Sequence, residues 1–200
     1  MGNVTSERQK AARKKSVVRE WVESIIVAFL LAMVIRAFVV QAFKIPTGSM
    51  RQTLLEGDLI LVNKFIYGVR APFTDIRLPA LAEPKRGEVI VFIFPGDRKK
   101  DFIKRLVGLP GDVIEIKSGT IFVNDKPLVT PEFSQRYYYN KGDYAELNKK
   151  ITVPKDCYFV LGDNSASSMD SRYWGFVSKK DLLGKAMVIY WPPNRIRLIK

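Results

Sequence analysis

One long apolar segment near the start of the chain limits what the rest of the protein can be. It covers residues 21–43 and reads WVESIIVAFLLAMVIRAFVVQAF. Its uninterrupted apolar part, Ile25–Ile35, is shorter than the ~20 residues that a spanning helix needs, so Arg36 must be tolerated within the span. Arg36 lies near one end, where its long side chain can extend to the headgroups, and Trp21 suits an interface position. The segment therefore predicts one transmembrane helix over residues 21–43.

The residues before this segment indicate its orientation. Residues 1–20 carry more basic than acidic side chains: Arg8, Lys10, Arg13, Lys14, Lys15 and Arg19 against Glu7 and Glu20. Because basic flanks tend to stay inside, we predict a cytoplasmic arm over 1–20 and a domain outside the cytoplasmic membrane over 44–200. A cleaved signal peptide is the competing interpretation. The long polar stretch before the apolar run, and the lack of a convincing small-residue cleavage site after it, favour an uncleaved single-pass anchor.

The composition excludes several classes of site and partner. The chain has no histidine, so a Ser-His-Asp triad, a Cys-His pair and a His-ligated metal are impossible. Its single cysteine, Cys157, excludes an intrachain disulfide and a cysteine-bound zinc. The net charge of +13 suits nucleic acid or an anionic membrane surface. Since the sequence has no basic helix with interleaved aromatics and no zinc-finger or RNA-binding signature, we predict a lipid partner and no nucleic acid.

The sequence after residue 57 has the pattern of a β protein. Short apolar runs alternate with turns, as in GDLILVNKFIY, EVIVFIF, RLVGLPGDVIEIKSGTIFVNDKPL, ITVPKDCYFVLGD and KAMVIYWPP. Ser118-Gly119 is typical of a hairpin turn. Residues 131–150 are polar and aromatic, and we interpret them as a surface excursion. No segment after the anchor has a sustained helical period, so the soluble part is predicted to be mainly β and antiparallel.

A turn directly follows the apolar segment and carries a candidate nucleophile. In Phe43–Leu54, FKIPTGSMRQTL, proline fixes φ and glycine permits unusual conformations, so Pro46–Ser49 is typical of a tight turn that presents hydroxyls. The alternative interpretation is an ordinary solvated loop serine.

A lysine is the natural base for that serine in a chain without histidine. Lys104 lies in DFIKRLVGLPGD at the start of a predicted strand, beside Arg105. Burial and a like-charged neighbour would both favour its neutral amine. Strand alternation puts Lys104 on one face with Phe102 and Leu106, which permits an inward lysine but equally an exposed one at a sheet edge.

Five stretches taken together resemble the type I signal peptidases of bacteria, which are membrane-bound Ser-Lys proteases. They are FKIPTGSMRQTL, GDLILVNKFIYG, RGEVIVF, DFIKRLVGLPGD and GDNSASSMDSRYWG, and they occur in the family's order across roughly residues 40–190. The resemblance implies a coiled, barrel-like β fold after one N-terminal transmembrane helix. It implies a serine endopeptidase that needs no metal or cofactor.

The resemblance also implies roles for individual residues. Ser49 matches the nucleophile and Lys104 the general base, while the Thr47 hydroxyl and the Ser49 N–H match the oxyanion hole. Ser168 aligns with a serine that orients the lysine. Further matches are the structural residues Asp163, Asp170 and Arg172, and the substrate-pocket residues Phe43, Ile45, Met50, Leu54, Ile60, Val91 and Ile103.

One three-residue segment and one single position depart from the family's pattern. Ser165-Ala166-Ser167 replaces a segment that commonly holds Arg, Asp and Asn, so Ser165, Ser167 and Ser171 rival Ser168 for its role. Gln52 stands where the family often has proline.

The implied substrates are exported preproteins, cut after A-x-A-like sites on the outer side of the cytoplasmic membrane. Two alternatives differ in class. One is a self-cleaving repressor-type Ser-Lys protease, although residues 1–43 contain no helix-turn-helix signal. The other is a non-catalytic, basic, membrane-anchored binding protein.

Overall fold

The structure is a computed structural model that describes residues 17–38, 40–68 and 79–200. Its helices and strands, in chain order, are α1 Val17–Phe38, β1 Val40–Lys44, β2 Leu59–Asn63, β3 Val89–Ile93, β4 Asp101–Gly108, β5 Val113–Lys117, β6 Thr120–Val123, β7 Lys126–Pro127, α2 Pro131–Ser134, β8 Ile151–Thr152, β9 Cys157–Leu161, α3 Ser171–Trp174, β10 Val177–Ser178, β11 Leu182–Trp191 and β12 Arg197–Leu198.

Helix α1 contains most of the apolar segment. It ends at Phe38, and β1 begins at Val40, so the last residues of the span predicted over 21–43 lie in a strand. Within the described residues, no helix combines the length and the apolar character needed to cross a membrane. The transmembrane helix therefore stays a prediction. Most of the predicted basic arm, residues 1–16, lies outside the described residues.

The rest of the described chain is mainly β, and its strand pairs are antiparallel, as predicted. One sheet has the order β1-β2-β11-β3-β4-β9-β10, with β12 also paired to β11. A second sheet has the order β7-β6-β5-β8. Ser118 and Gly119, with φ of 48° and 80°, form the predicted hairpin turn between β5 and β6. Two consecutive residues with positive φ are typical of the turn that matches strand twist.

Strands β4 and β9 join the apolar cores of the two sheets. Leu106 and Val160 belong to one core cluster, and their chain neighbours Val107 and Leu161 belong to another. Because successive side chains of a strand point to opposite faces, both faces of β4 and β9 are covered at this point. The strand that carries Lys104 is therefore among the most buried in the protein.

Most residues of the segment 131–150 are exposed or half-buried, but three of its side chains belong to the core. Phe133, Tyr138 and Ala145 are each no more than 3% exposed and lie in the core cluster around β5 and β6. The segment has too few apolar residues to show a period, so its contribution to the core could not be seen in the sequence.

We predict that Phe133→Ala destabilises the fold by roughly 3–5 kcal/mol, because it leaves a cavity in a closed core. Urea unfolding followed by circular dichroism measures this. Leu147→Ala is the matched control in the same segment. Leu147 is 71% exposed, so its loss should change stability by less than about 0.5 kcal/mol. Equal effects at the two positions would contradict the packing described.

Candidate active site

Ser49 lies on a tight turn that a distant loop holds in place. After β1 the chain forms a single 3-10 turn over Gly48–Met50, in which Ser49 is buried to 8% exposure. Asn164 binds this turn twice. Its backbone N–H donates to the Ser49 carbonyl at 3.0 Å, and its Nδ2 donates to the Gly48 carbonyl at 3.0 Å. The loop after β9 therefore fixes the backbone on which the serine hydroxyl stands.

Lys104 reaches Ser49 from the middle of β4. Its Nζ lies 2.7 Å from Ser49 Oγ, although the two residues are 55 positions apart. The amine also donates to the Ile103 carbonyl at 2.9 Å and lies 5.4 Å from the centre of the Phe102 ring. Of the two interpretations that the pattern left open, the structure has the inward one, since Lys104 is only 3% exposed.

Burial sets the charge state of the lysine. Removal from water penalises the ammonium form and lowers the pKa of Lys104 to about 8, although the charges of Asp170 and Asp163 act in the opposite direction. A lysine with this pKa is neutral in an appreciable fraction of molecules near neutral pH. A neutral amine 2.7 Å from a hydroxyl can accept its proton, so the pair has the geometry of a nucleophile and its base.

Asp163 is the centre of a buried charge network beside this pair. Arg105 binds both of its oxygens, with Nε–Oδ1 at 2.8 Å and Nη2–Oδ2 at 2.7 Å. The Thr53 hydroxyl also donates to Oδ2, and Arg136 approaches the same oxygen at 3.3 Å. The network joins the segment after Ser49 to β4 and to the loop after β9.

Asp170 and Arg172 form a second buried pair, as the resemblance implies. Arg172 Nε and Nη2 donate to the two oxygens of Asp170 at 2.8 Å and 2.9 Å, and both side chains are fully buried. Arg172 also donates to the carbonyls of Ser165 and Ser168 at 2.9 Å and 3.3 Å. A single guanidinium therefore shapes the loop that carries Ser168.

Ser168 makes no hydrogen bond through its hydroxyl among the described residues. Its Oγ is buried and unpartnered, and Lys104 binds Ser49 instead. The hydroxyl packs against Gly162, where an added Cβ would collide with Ser168 and with the Ser49 carbonyl. The structure thus brings Ser168 to the site without the contact to the lysine that its implied role requires.

The neighbouring serines have other partners. Ser165 Oγ accepts from Arg172 at 2.7 Å, and Ser171 Oγ accepts from the Val160 N–H at 3.0 Å. Ser167 is exposed. Hydrogen bonds therefore hold this loop in place, even though Ser165-Ala166-Ser167 replaces the residues that the family commonly has.

Thr47 lies at the entrance of the site. It is exposed, precedes the 3-10 turn and has an extended backbone, with φ of −136° and ψ of 155°. Its side chain does not cap the turn, so the hydroxyl remains available to another group.

The seven predicted pocket residues lie together in one apolar cluster under the turn. Five of them, Ile45, Met50, Leu54, Ile60 and Val91, are at most 2% exposed. Only Phe43 and Ile103 are half-buried, so these two offer the apolar surface that a bound chain can contact. The other five support that surface from below.

Comparison with known proteins identifies the family. Residues 18–191 match the family described as "Signal peptidase, peptidase S26". Signal peptidase I of Pseudomonas aeruginosa is 35% identical over 218 residues, which cover 92% of this chain and 76% of that protein. Signal peptidase I P of Bacillus subtilis subsp. natto is 36% identical over 201 residues, which cover 96% of this chain and 98% of that protein.

The chain belongs to the S26 signal peptidase family. It is a serine endopeptidase. A crystal structure of a signal peptidase I from Enterococcus faecalis V583 is also similar, with 30% identity, coverage of 52% of this chain and 97% of that chain, and a TM-score of 0.41.

The backbone at Gln52 is consistent with the departure noted there from the pattern that the resemblance implies. Gln52 has a φ of 87°, whereas proline fixes φ near −65°. The turn in this chain therefore has a conformation that proline could not adopt.

Several residues of this candidate site were missed by sequence reasoning. Four of them bind a segment far away in the chain, and nothing in their local sequence indicates such a contact. They are Thr53, Arg105, Arg136 and Asn164. Thr53, Arg105 and Asn164 stand inside the stretches that carry the resemblance, which is the one signal that could have found them, whereas Arg136 lies outside.

We predict that Lys104→Met stabilises the fold below pH 8. The lowered pKa means that the folded state disfavours the charged lysine, whereas the unfolded lysine keeps a pKa of 10.5. The buried charge therefore lowers the free energy of unfolding by its full amount below pH 8. This loss is recovered as the pH rises from 8 to 10.5. The gain from Lys104→Met should reach at most about 3 kcal/mol near pH 7 and shrink toward pH 10.

Urea unfolding at several pH values measures this gain, with the exposed Lys99→Met as the control. A Lys104→Met variant that loses stability equally at every pH would contradict the assignment.

Proposed function

We propose that this chain cleaves N-terminal signal peptides from exported preproteins by a Ser49–Lys104 dyad. The observation that carries the proposal is the 2.7 Å contact between the buried lysine amine and the serine hydroxyl in a member of the S26 family. A buried lysine with its pKa lowered to about 8 is the type of base that a site without histidine requires.

In the proposed mechanism, neutral Lys104 takes the proton of Ser49 as Oγ attacks the scissile carbonyl. A tetrahedral intermediate forms, and its collapse breaks the peptide bond while the ammonium of Lys104 returns the proton to the leaving amine. Water then attacks the acyl-enzyme ester, with the lysine again as base, and frees Ser49. The chain's own residues supply each proton transfer.

The oxyanion of each intermediate is proposed to bind between the Ser49 N–H and the Thr47 hydroxyl. The exposed position of Thr47 beside the turn supports this role, because a hydroxyl that does not cap the turn can turn toward the substrate. Loss of one such donor typically slows acyl transfer by about 10²–10³-fold.

Two free backbone edges support binding of an extended substrate. Among the described strands β1 pairs only with β2, so its other edge is open. On β4, pairing to β9 begins at Arg105, which leaves residues 101–104 open on that side. A peptide that adds to these edges would pass Ser49 with alternate side chains facing Phe43 and Ile103. The closed cluster beneath leaves shallow space, which favours small residues as in A-x-A sites.

The helical part of the apolar segment, residues 21–38, is proposed as the membrane anchor, with the N-terminus in the cytoplasm and the catalytic domain outside. On α1, large apolar side chains such as Ile25, Phe29 and Leu30 are more than 50% exposed. A helix that is apolar on all sides is stable in lipid or in a core rather than in water. Alkaline carbonate extraction of membranes tests this proposal, since an anchored chain stays in the pellet.

We predict that Ser49→Ala abolishes cleavage of a preprotein in detergent while leaving the circular dichroism spectrum and melting temperature unchanged. Lys104→Met should also abolish cleavage across pH 6–10, because it removes the base and keeps the bulk, while its stability changes only as predicted above. Appearance of the shortened product on a gel, with its new N-terminus sequenced, is the measurement. Ser167→Ala is the matched control and should cleave at the rate of the unmodified chain. Full activity of Ser49→Ala would rule the dyad out.

We predict a larger loss of activity from Ser168→Ala than from Ser167→Ala. The buried Ser168 hydroxyl has no other partner and is free to bind the lysine once a substrate is bound, whereas Ser167 is exposed. Rates of preprotein cleavage under single-turnover conditions measure both. The opposite order would show that Ser168 does not orient the lysine.

A further inference from the structure

A second arginine binds the buried carboxylate of Asp163. Arg105 already makes two hydrogen bonds to it, which match one positive with one negative charge. Arg136 Nη2 adds a contact of 3.3 Å to Asp163 Oδ2 and donates to Thr53 Oγ1 at 3.0 Å. Its side chain is 10% exposed, and its Nε has no hydrogen-bond partner among the described residues. Arg136 thus adds a largely buried positive charge to an Arg105–Asp163 pair that is already neutral without it.

The charges that face Lys104 are otherwise balanced in pairs. Asp163 and Asp170 are the two acidic groups whose charge acts on the amine. Arg105 pairs with Asp163 from β4, and Arg172 pairs with Asp170 from α3. With each carboxylate matched once, Arg136 is the surplus positive charge of this buried group.

Two further titratable groups lie near Arg136. Glu132, on α2, lies near both Arg136 and Arg105 and is partly exposed, so water screens its charge. The Tyr138 hydroxyl is buried, which raises its pKa and keeps it neutral. A surplus of buried positive charge disfavours a further ammonium group nearby.

We propose that Arg136 is a positioning residue for Lys104, which places a second positive charge on Asp163 and so keeps the lysine amine uncharged and able to accept the proton of Ser49. The inference rests on the proposed role of Lys104 as general base. Without Arg136, more of the negative charge of Asp163 acts on the amine. The lysine then loses its proton only at a higher pH.

The test is the pH dependence of kcat/KM for cleavage of a preprotein in detergent, from pH 6 to 10. Arg136→Met removes the charge, Arg136→Gln removes it but keeps a hydrogen-bond donor, and Arg136→Lys keeps it. We expect the acidic limb of the profile to move to higher pH by about one unit in the Met and Gln variants. At pH values below the limb, kcat/KM should therefore fall about tenfold. Activity should approach that of the unmodified chain near pH 10, and Arg136→Lys should keep the original limb.

Arg86→Met is the matched control. Arg86 donates to Asp112 at 3.0 Å in another partly buried Arg–Asp pair. Asp112 is not among the groups whose charge acts on Lys104. This variant should therefore leave the acidic limb in place, whatever it does to stability.

Three results would overturn the inference. The first is a loss of activity that is uniform across the pH range, which would give Arg136 a structural role only. The second is an equal shift in Arg136→Lys, since charge would then not be the cause. The third is an equal shift in Arg86→Met. If Arg136→Met does not fold, Arg136→Gln decides between these outcomes. Failure of the unmodified chain to cleave the preprotein would instead refute the proposed function, and the inference with it.

Discussion

A lysine that is to accept a proton must be buried without gaining a carboxylate as its direct partner. Lys104 meets this condition because its amine contacts a hydroxyl and a carbonyl, while the two acidic groups whose charge acts on it are each held by an arginine. Desolvation then outweighs the attraction of the carboxylates, and the pKa falls. The balance of charge around Lys104 depends on three segments together: the loop after β9, strand β4 and the turn that carries Ser49.

The same ion pairs also determine geometry. The side chains of Asp163 and Asp170 are fully buried, so a broken contact would leave a buried charge unpaired, at a cost of several kcal/mol. Such pairs do little for net stability compared with an apolar core, but they permit only one arrangement of the segments they join. The site is therefore rigid where Ser49 and Lys104 meet, and open at Thr47 and at the edge of β1.

The sequence contained the local parts of this picture but not its long-range contacts. Alternating apolar residues and turn residues predicted the β fold, and proline and glycine beside Ser49 predicted its turn, because both depend on near neighbours. The inward direction of Lys104 could not be decided from alternation, since β4 is covered on both faces. The contribution of Phe133 and Tyr138 to the core, the double contact of Asn164 and the second arginine on Asp163 all depend on residues distant in the chain. The unbonded hydroxyl of Ser168 depends on side-chain packing that no pattern encodes.

The order of strands in the larger sheet has a consequence for biosynthesis. Strand β11 lies between β2, which leads from the nucleophile turn, and β3, which leads to the strand of the base. Until Leu182–Trp191 has been synthesised, the two halves of that sheet share no strand, and only the contacts of Asn164 and of the Asp163 network hold the Ser49 turn near β4. A nascent chain that has reached β9 but not β11 therefore contains both Ser49 and Lys104 but lacks the strand that joins their halves of the sheet. We expect the complete arrangement of Ser49 and Lys104 only once this late strand has been inserted.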